Sequence, residues 1–521
     1  AYTASEGHDE GVEKTASVTV KRETYGEELY ASPDGTDDGD GTRENPMSVD
    51  AAVRQVIPGG TVNMLEGTYS PLTMPYTASG NEEDRKSLTA EGSVVITGGS
   101  GKLFVLDSDY WNITGLDVDG KNVACSRGFM IHGSHNIIER CLIHDTSSDA
   151  GLTITKNRGS RTLWPSYNLI QNCESYRNRD ESGINADGFA SQSCSGDDNR
   201  FVNCVSHDNA DDGWDLYNTL QDGPNGRTII ENCVAYGNGN NGFKLGGEGR
   251  EVAHVLKNSV AFHNKLDGIT DNFNPGALNI QNNTSFDNYR FNMILRPSPY
   301  KTDADGNLTA DGTVKNNASY RTAAFSAGLD KVYDDKISAV IKMNNFLYAD
   351  GENSVSADSF VSLDEADCFS WKEGRIVFGD FLKIAKGSGL DQAGAGARLS
   401  EDMEDVTLEE LVANMAADPD SYTADQIFNA VTDYDVETIC QAMKNDKVFA
   451  ENLSILEESY MEKKGIEVVI EADDAIAEEI DAGLMRVIGA AYNSNGGHVT
   501  VRLSLPEKEA AVAGDKYDTA L

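Results

Sequence analysis

Through the first three quarters of the chain, hydrophobic and polar positions alternate in short runs that never settle into a helical period. Runs such as "SVVITGG" and "LFVLDSDYWNITGLDVDG", between residues 92 and 135, read as strands bounded by Gly, Asn and Asp turns. From residue 138 a segment then repeats: "IERCLIHDT", "IQNCESYRN", "FVNCVSHDN", "IENCVAYGN", "LKNSVAFHN", "IQNNTSFDN" and "VKNNASYRT" align without gaps. One column holds Arg140, Asn172, Asn203, Asn232, Asn258, Asn282 and Asn316, and the next holds Cys141, Cys173, Cys204, Cys233, Ser259, Asn283 and Asn317. Three positions on stand His144, Tyr176, His207, Tyr236, Phe262, Phe286 and Tyr320. Copies are 24 to 34 residues apart, with the variation absorbed in turns. Short strands at a drifting period predict an all-β protein, a right-handed parallel β-helix with one copy per coil, in which like side chains stack about 4.8 Å apart. An inward Asn ladder at the bend would satisfy its own buried amides. Stacked cysteines that face the same way aim poorly at one another, so free buried thiols are expected. His144 and His207 replace aromatic residues and are expected as packed, structural histidines.

The ends differ. Residues 1–25 read as a polar extension. Next come a turn-rich loop, a short amphipathic helix around Ser48 to Ile57 that would cover the open end of the solenoid, and a first strand ending at Tyr69. The acidic turn at 34–40 reads as a solvated loop. The β-helix is expected over residues 26–395. From 396 to 521 the texture becomes helical and then shows two strand-like runs, "IEVVIEA" and "HVTVRLSLP", which predicts a separate α+β appendage with no chemical signature.

Charge narrows the partners. Lys+Arg number 43 against 85 Asp+Glu, a net charge of −42, so nucleic acid or an anionic membrane surface would be repelled. Residues 401–521 hold 28 acidic and 8 basic residues, and so account for −20 of this. No apolar run approaches a membrane span, and "AYTASEGHDE" has no signal-peptide pattern, so the start reads as mature or trimmed. The eight cysteines show no CxxC spacing, and Cys125, Cys194, Cys368 and Cys440 fall outside the repeat column.

One stretch interrupts the pattern. "HDNADDGWDLYN", residues 207–218, places Asp208, Asp211, Asp212 and Asp215 around Trp214. Counting along the repeat puts Asp215 and Lys244 in one column on successive rungs, and Asp187 one coil earlier in the place of Asp212. Phe189, Trp214 and Phe243 share a core-facing column, which explains a tryptophan among acids. Carboxylates so close repel one another without a counterion, and hard oxygen ligands in this number suit Ca²⁺. A solvated acidic turn is the plain alternative, but it gives no reason for recurrence in register. A lysine beside such a metal can have its pKa lowered and serve as a base, while a structural ion pair to Asp215 is its plain alternative.

"INADGFA", "DNADDGWDLYN" and "NNGFKLGG", in that order on a β-helix, resemble the calcium-dependent pectate lyases of polysaccharide lyase family 9, over roughly residues 25 to 390. The resemblance implies Asp187, Asp211, Asp212 and Asp215 as calcium ligands and Lys244 as the base that takes the C5 proton of a galacturonate. It further implies a secreted bacterial enzyme acting on an acidic plant cell-wall polysaccharide, either pectate or rhamnogalacturonan. A monomer, or one piece of a larger multimodular protein, is expected in an extracellular or cell-surface setting. Arg250, Lys257, Arg296 and Lys301 follow the site, with Arg250 and Arg296 taken as substrate-binding candidates. The competing readings are a metal-free polygalacturonase and a non-catalytic carbohydrate-binding or adhesion β-helix.

Overall fold

Each copy of the repeat closes one coil. In a computed structural model of the chain, every strand of a coil pairs in parallel with its counterparts in the coils before and after it. The structure describes residues 26–399 apart from 158–160, 220–224, 248, 323–329, 333–339 and 349–354. Beyond 400 it describes only 408–417, 419, 427, 442–443, 446–464, 467–471 and 498–502. One sheet of ten strands runs from Leu72–Met74 to Lys331–Val332 and includes Phe189–Ser191, Trp214–Asp215, Phe243–Lys244, Asp267–Thr270 and Phe291–Leu295. The other faces of the coils belong to a 19-stranded sheet, in which pairs such as Asn199–Val202 and Val205–His207 meet at a sharp corner.

That corner is the asparagine column. Arg140, Asn172, Asn203, Asn232, Asn258, Asn282 and Asn316 all take φ between 47° and 56°, a left-handed bend that Asn tolerates because its short amide bonds locally. The amides do bond along the stack, Asn232 Nδ2 to Asn203 Oδ1 at 2.9 Å and Asn258 Nδ2 to Asn232 Oδ1 at 2.9 Å. They do not point inward as expected. They meet the carbonyls of Ile376, Gly394 and Arg398, because the bend gives the inward place to the following Cys. The fully internal ladder is the last column of the repeat: Asn178, Asn209, Asn238, Asn264 and Asn288 pass one amide bond from coil to coil at 2.8–2.9 Å.

Cys125, Cys141, Cys173, Cys194, Cys204, Cys233 and Cys368 are buried free thiols, and Cys440 lies outside the described residues. His144 and His207 are packed as expected, within a stack of rings: His144–Tyr176 at 4.8 Å, Tyr176–His207 at 5.1 Å and His207–Tyr236 at 4.7 Å.

The main core fills the coils, and a second cluster lies outside them. There Phe360, Phe378, Phe381, Ile384 and Leu390 cover Val205, Val234, Val260, Phe262 and Phe286, so residues 355–399 strap one face of the solenoid. At the other end the helix Val49–Gln55 is capped by Ser48 Oγ, which accepts from Ala51 N at 3.1 Å, and it buries Val49, Ala51, Ala52 and Val53. The stretch before it is not all loop: Gly26–Thr36 is a strand, held by parallel pairing to Val56–Tyr69. In the acidic turn, Asp40 accepts from Thr42 and Asp37 from Ser48, which supports the solvated-loop reading. Beyond residue 400, helices Leu408–Ala417 and Lys447–Lys464 precede the parallel pair Glu467–Glu471 and His498–Arg502. The extension at 1–25 lies outside the described residues.

Candidate active site

The column count is met residue for residue. Phe189 pairs with Trp214 and Trp214 with Phe243, so Asp215 stands beside Lys244 one rung on. The three rings are fully buried and stack at 5.0 and 4.9 Å, fixing the strand while alternation sends Asp215 and Lys244 to the other face. Gly188 and Gly213 precede the rings because nothing larger fits: a Cβ at Gly188 would lie 1.9 Å from Ser206 Oγ, and one at Gly213 would lie 2.6 Å from the Gly242 carbonyl.

These strands bring the carboxylates of Asp187, Asp212 and Asp215 within 4.8 Å of one another, each at most 6 % exposed. Asp187 Oδ1 accepts from Asp212 N at 3.1 Å, Asp212 Oδ1 from Asn241 N and Nδ2 at 2.8 Å each, and Asp215 Oδ1 from Tyr217 N at 2.8 Å. Asp211 is not part of that triangle; its carboxylate accepts from Asn240 Nδ2 at 2.9 Å. Burial, then the charges of Asp215, Asp212 and Asp211, push the Asp187 carboxyl far above the usual range. Burial followed by Asp212 raises Asp211 to about 7, and burial leads in raising Asp215 to about 6.

Lys244 Nζ sits 2.9 Å from Asp212 Oδ2 and 3.3 Å from Asp215 Oδ1, and 5.1 Å from the centre of the Tyr217 ring. Burial pushes this ammonium down, but Asp215, Asp212 and Asp187 outweigh it and hold Lys244 well above its ordinary value. The protein's own carboxylates therefore hold Lys244 as an ion-paired ammonium. The donor set fits a hard cation: three buried carboxylates converge with one ammonium between them, which leaves negative charge uncompensated among the described contacts.

Lys244 opens onto a cavity of about 370 Å³ that also holds Tyr217, Thr270, Phe273, Arg290 and Arg296. Arg296 is thus brought to the site. Arg250 is not a lining residue; its Nε donates to the Thr219 carbonyl at 3.4 Å. Lys301 is engaged by Asp311 at 2.6 Å and Glu251 at 3.1 Å, and Lys257 stands in a strand of the other sheet. Sequence reasoning gave Asn241 no role and did not single out Arg290. Asn241 was within reach of the same counting, since it takes the place of Asp212 one coil on; Arg290 had no such signal, because only the fold brings it against Asp267.

A second acidic group, Asp119 and Asp145 around His144, is already satisfied: His144 Nδ1 meets Asp145 at 2.7 Å, its Nε2 meets Asp117 at 2.9 Å, and Arg177 pairs with Asp145 at 2.7 Å.

Fold and site together define a β-solenoid with a carboxylate triangle and a lysine in register on one sheet. The chain belongs to the Pel9A-like right-handed β-helix family, whose model matches residues 29–322. It is 39% identical over 347 residues to a pectate disaccharide-lyase of Dickeya chrysanthemi, covering 66% of this chain and 43% of that protein. It is 41% identical over 305 residues to pectate lyase L of Thermoclostridium stercorarium, covering 55% and 24%. The chain thus spans less than half the length of these two relatives. Pectate lyase L of Paenibacillus polymyxa (strain SC2) is 35% identical over 412 residues, covering 74% of this chain and 88% of the relative. Among solved structures, pectate lyase Pel9A superposes with a TM-score of 0.57 at 27% identity, over 70% of this chain and 90% of that one.

Proposed function

We propose that the chain is a secreted pectate lyase that cleaves 4-linked galacturonate by calcium-assisted β-elimination. The observation that carries this reading is the triangle of Asp187, Asp212 and Asp215 in contact with Lys244 at the mouth of a cavity. The names of the relatives support the same substrate class.

Asp187, Asp212 and Asp215 would hold the calcium, with Asp211 beside them. When bound, calcium supplies positive charge to a sugar carboxylate as the neighbouring proton leaves. With their own charge taken up by a cation, the three carboxylates no longer hold the ammonium, and the burial that lowers Lys244 is what remains. The neutral amine then takes the C5 proton. The electron pair left behind forms the C4–C5 double bond, the bond from C4 to the glycosidic oxygen breaks, and that oxygen takes a proton from water. Tyr217 N fixes Asp215 and Asn241 fixes Asp212, so both carboxylates are oriented before substrate arrives. Because Lys244 works only as the free amine, activity is expected to climb with pH.

Action outside the cell fits a polymer too large to enter it, and among the described residues no helix is long and apolar enough to cross a membrane. The test is ultraviolet absorbance of the conjugated uronate on polygalacturonate, with calcium and with a chelator. A calcium-dependent rise supports the lyase; new reducing ends without the rise, indifferent to chelation, would mean a hydrolase.

A further inference from the structure

We propose that Arg290 and Arg296 form a carboxylate clamp beyond Lys244 that makes the cleft select a uniform polyuronate over a backbone in which galacturonate alternates with a neutral deoxysugar. This rests on the lyase reading and adds the polymer to it.

Both arginines stand on the second rung past Lys244. Lys244 is in register with Thr270, and Thr270 with Ile294. From either end of that last strand, Arg290 and Arg296 reach back one rung to two fully buried carboxylates that flank Thr270, Asp267 and Asp271. Arg290 donates through Nε and Nη2 at 2.8 and 2.6 Å, and Arg296 through Nε and Nη2 at 3.2 and 3.1 Å. Side-on pairing of this kind turns the Nη1 edge of each guanidinium away from its own aspartate. The Arg296 plane is further held 3.9 Å from the Phe273 ring centre. Arg290 keeps 45 % of its side chain exposed and Arg296 26 %, and both line the Lys244 cavity.

A surface arginine does not need a buried aspartate, and a buried aspartate is costly to place. Two such pairs on one rung, facing one cavity, make sense as devices that hold guanidinium groups rigid before a ligand arrives, which lowers the ordering cost of binding. The wall of the cavity presents cations, each backed by buried aspartates. In a chain of net charge −42 it gathers Lys244, Arg290 and Arg296 against a single lining acid, Asp267, itself paired. A polymer lying along the stacking axis past Lys244 presents its next sugar to these groups. In polygalacturonate that sugar brings a carboxylate; in a rhamnogalacturonan backbone it brings none, and the desolvated donors are left unpaired.

The test compares initial rates of unsaturated product formation on polygalacturonate and on rhamnogalacturonan backbone, in calcium, for the whole chain. The variants are Arg290→Lys, Arg296→Lys, and the double change Arg290→Gln with Asp267→Asn, which removes both charges of a pair together. Wild type is expected to prefer polygalacturonate. The variants should lose roughly ten- to a hundredfold in kcat/KM on that polymer, mostly through KM, and far less on rhamnogalacturonan. The ratio of the two rates is unaffected by any fraction of a variant that fails to fold. An unchanged ratio in every variant, or a wild type that cleaves both polymers equally or favours rhamnogalacturonan, would overturn the clamp while leaving the lyase standing. No unsaturated product from either polymer would sink the lyase reading, and the clamp with it.

Discussion

Gly188 and Gly213 show how tightly the site is tied to its scaffold at the level of single residues. Each lies against an amide of the internal Asn ladder, one step before a core aromatic ring and next to an acid of the triangle. Gly188→Ala is expected to cost about 1–3 kcal/mol of stability by overpacking, because the added carbon meets Ser206 Oγ and the segment carrying Asp187 into the strand Phe189–Ser191 must shift. Equilibrium denaturation read beside calcium affinity checks both effects; a variant with unchanged stability and affinity would refute the packing argument. At Asp215 the expectation is chemical. Asp215→Asn removes one charge from the triangle but keeps an oxygen where Tyr217 N donates, so the fold should survive while calcium affinity falls by at least about tenfold, measurable by calorimetry.

At the level of elements, the stack of rings that runs from His144 through Tyr176 and His207 to Tyr236 carries two titrating members. Burial pushes both histidines down, but hydrogen bonds to Asp117 and Asp145 for His144, and to Asp208 and Glu174 for His207, outweigh it and leave each pKa above its ordinary value. A raised folded pKa means stability that is fully present below the unfolded value of about 6.5 and is lost as pH climbs through the higher folded value. Wild type should therefore lose melting temperature toward alkaline pH more steeply than a His144→Phe, His207→Tyr double variant, which keeps the stack with the residue types that other coils use. Parallel slopes for the two proteins would show that the histidine charges do not contribute. These elements were legible in the sequence wherever a column repeats, because one side chain per rung must meet the same environment each time. The direction of the first Asn column was not legible: a left-handed corner turns its residue outward, and the sequence pattern does not show that turn. The strand Gly26–Thr36 was hidden for a similar reason, since its Pro, Asp and Gly suggest a loop and only pairing with Val56–Tyr69 makes it a strand.

On the scale of the whole molecule, the strap at 355–399 is the part least visible beforehand. Its residues follow no period, and many of its contacts are with coils more than a hundred residues away, as in Ala397 N donating to Thr284 Oγ1 at 2.8 Å and Arg398 N bonding Asn258 Oδ1 at 2.6 Å. It buries the outer face of the coil that carries Asp212 and Asp215 and of the coils after it, with Phe381 packed edge-on between Phe262 at 4.7 Å and Phe286 at 6.0 Å. Phe381→Ala is expected to cost about 3 kcal/mol or more, seen as an earlier unfolding midpoint; no shift would mean the strap is dispensable. The site itself was legible to the extent that counting reaches. The register of Asp187, Asp212, Asp215 and Lys244 came from the repeat, whereas the cavity and the buried-aspartate partners of Arg290 and Arg296 exist only once the coils are stacked.

The central claim is that the triangle binds calcium while Lys244 takes the proton, two roles in one contact. It is tested most directly by Lys244→Ala, assayed for calcium binding by calorimetry and for unsaturated product in the same preparation. The expected result is a protein that still binds calcium, at least as tightly as wild type because the competing ammonium is gone, and whose turnover falls by about a thousandfold or more. A variant that keeps forming unsaturated product at a rate near that of wild type would contradict the account, and so would a wild type that binds no calcium at all.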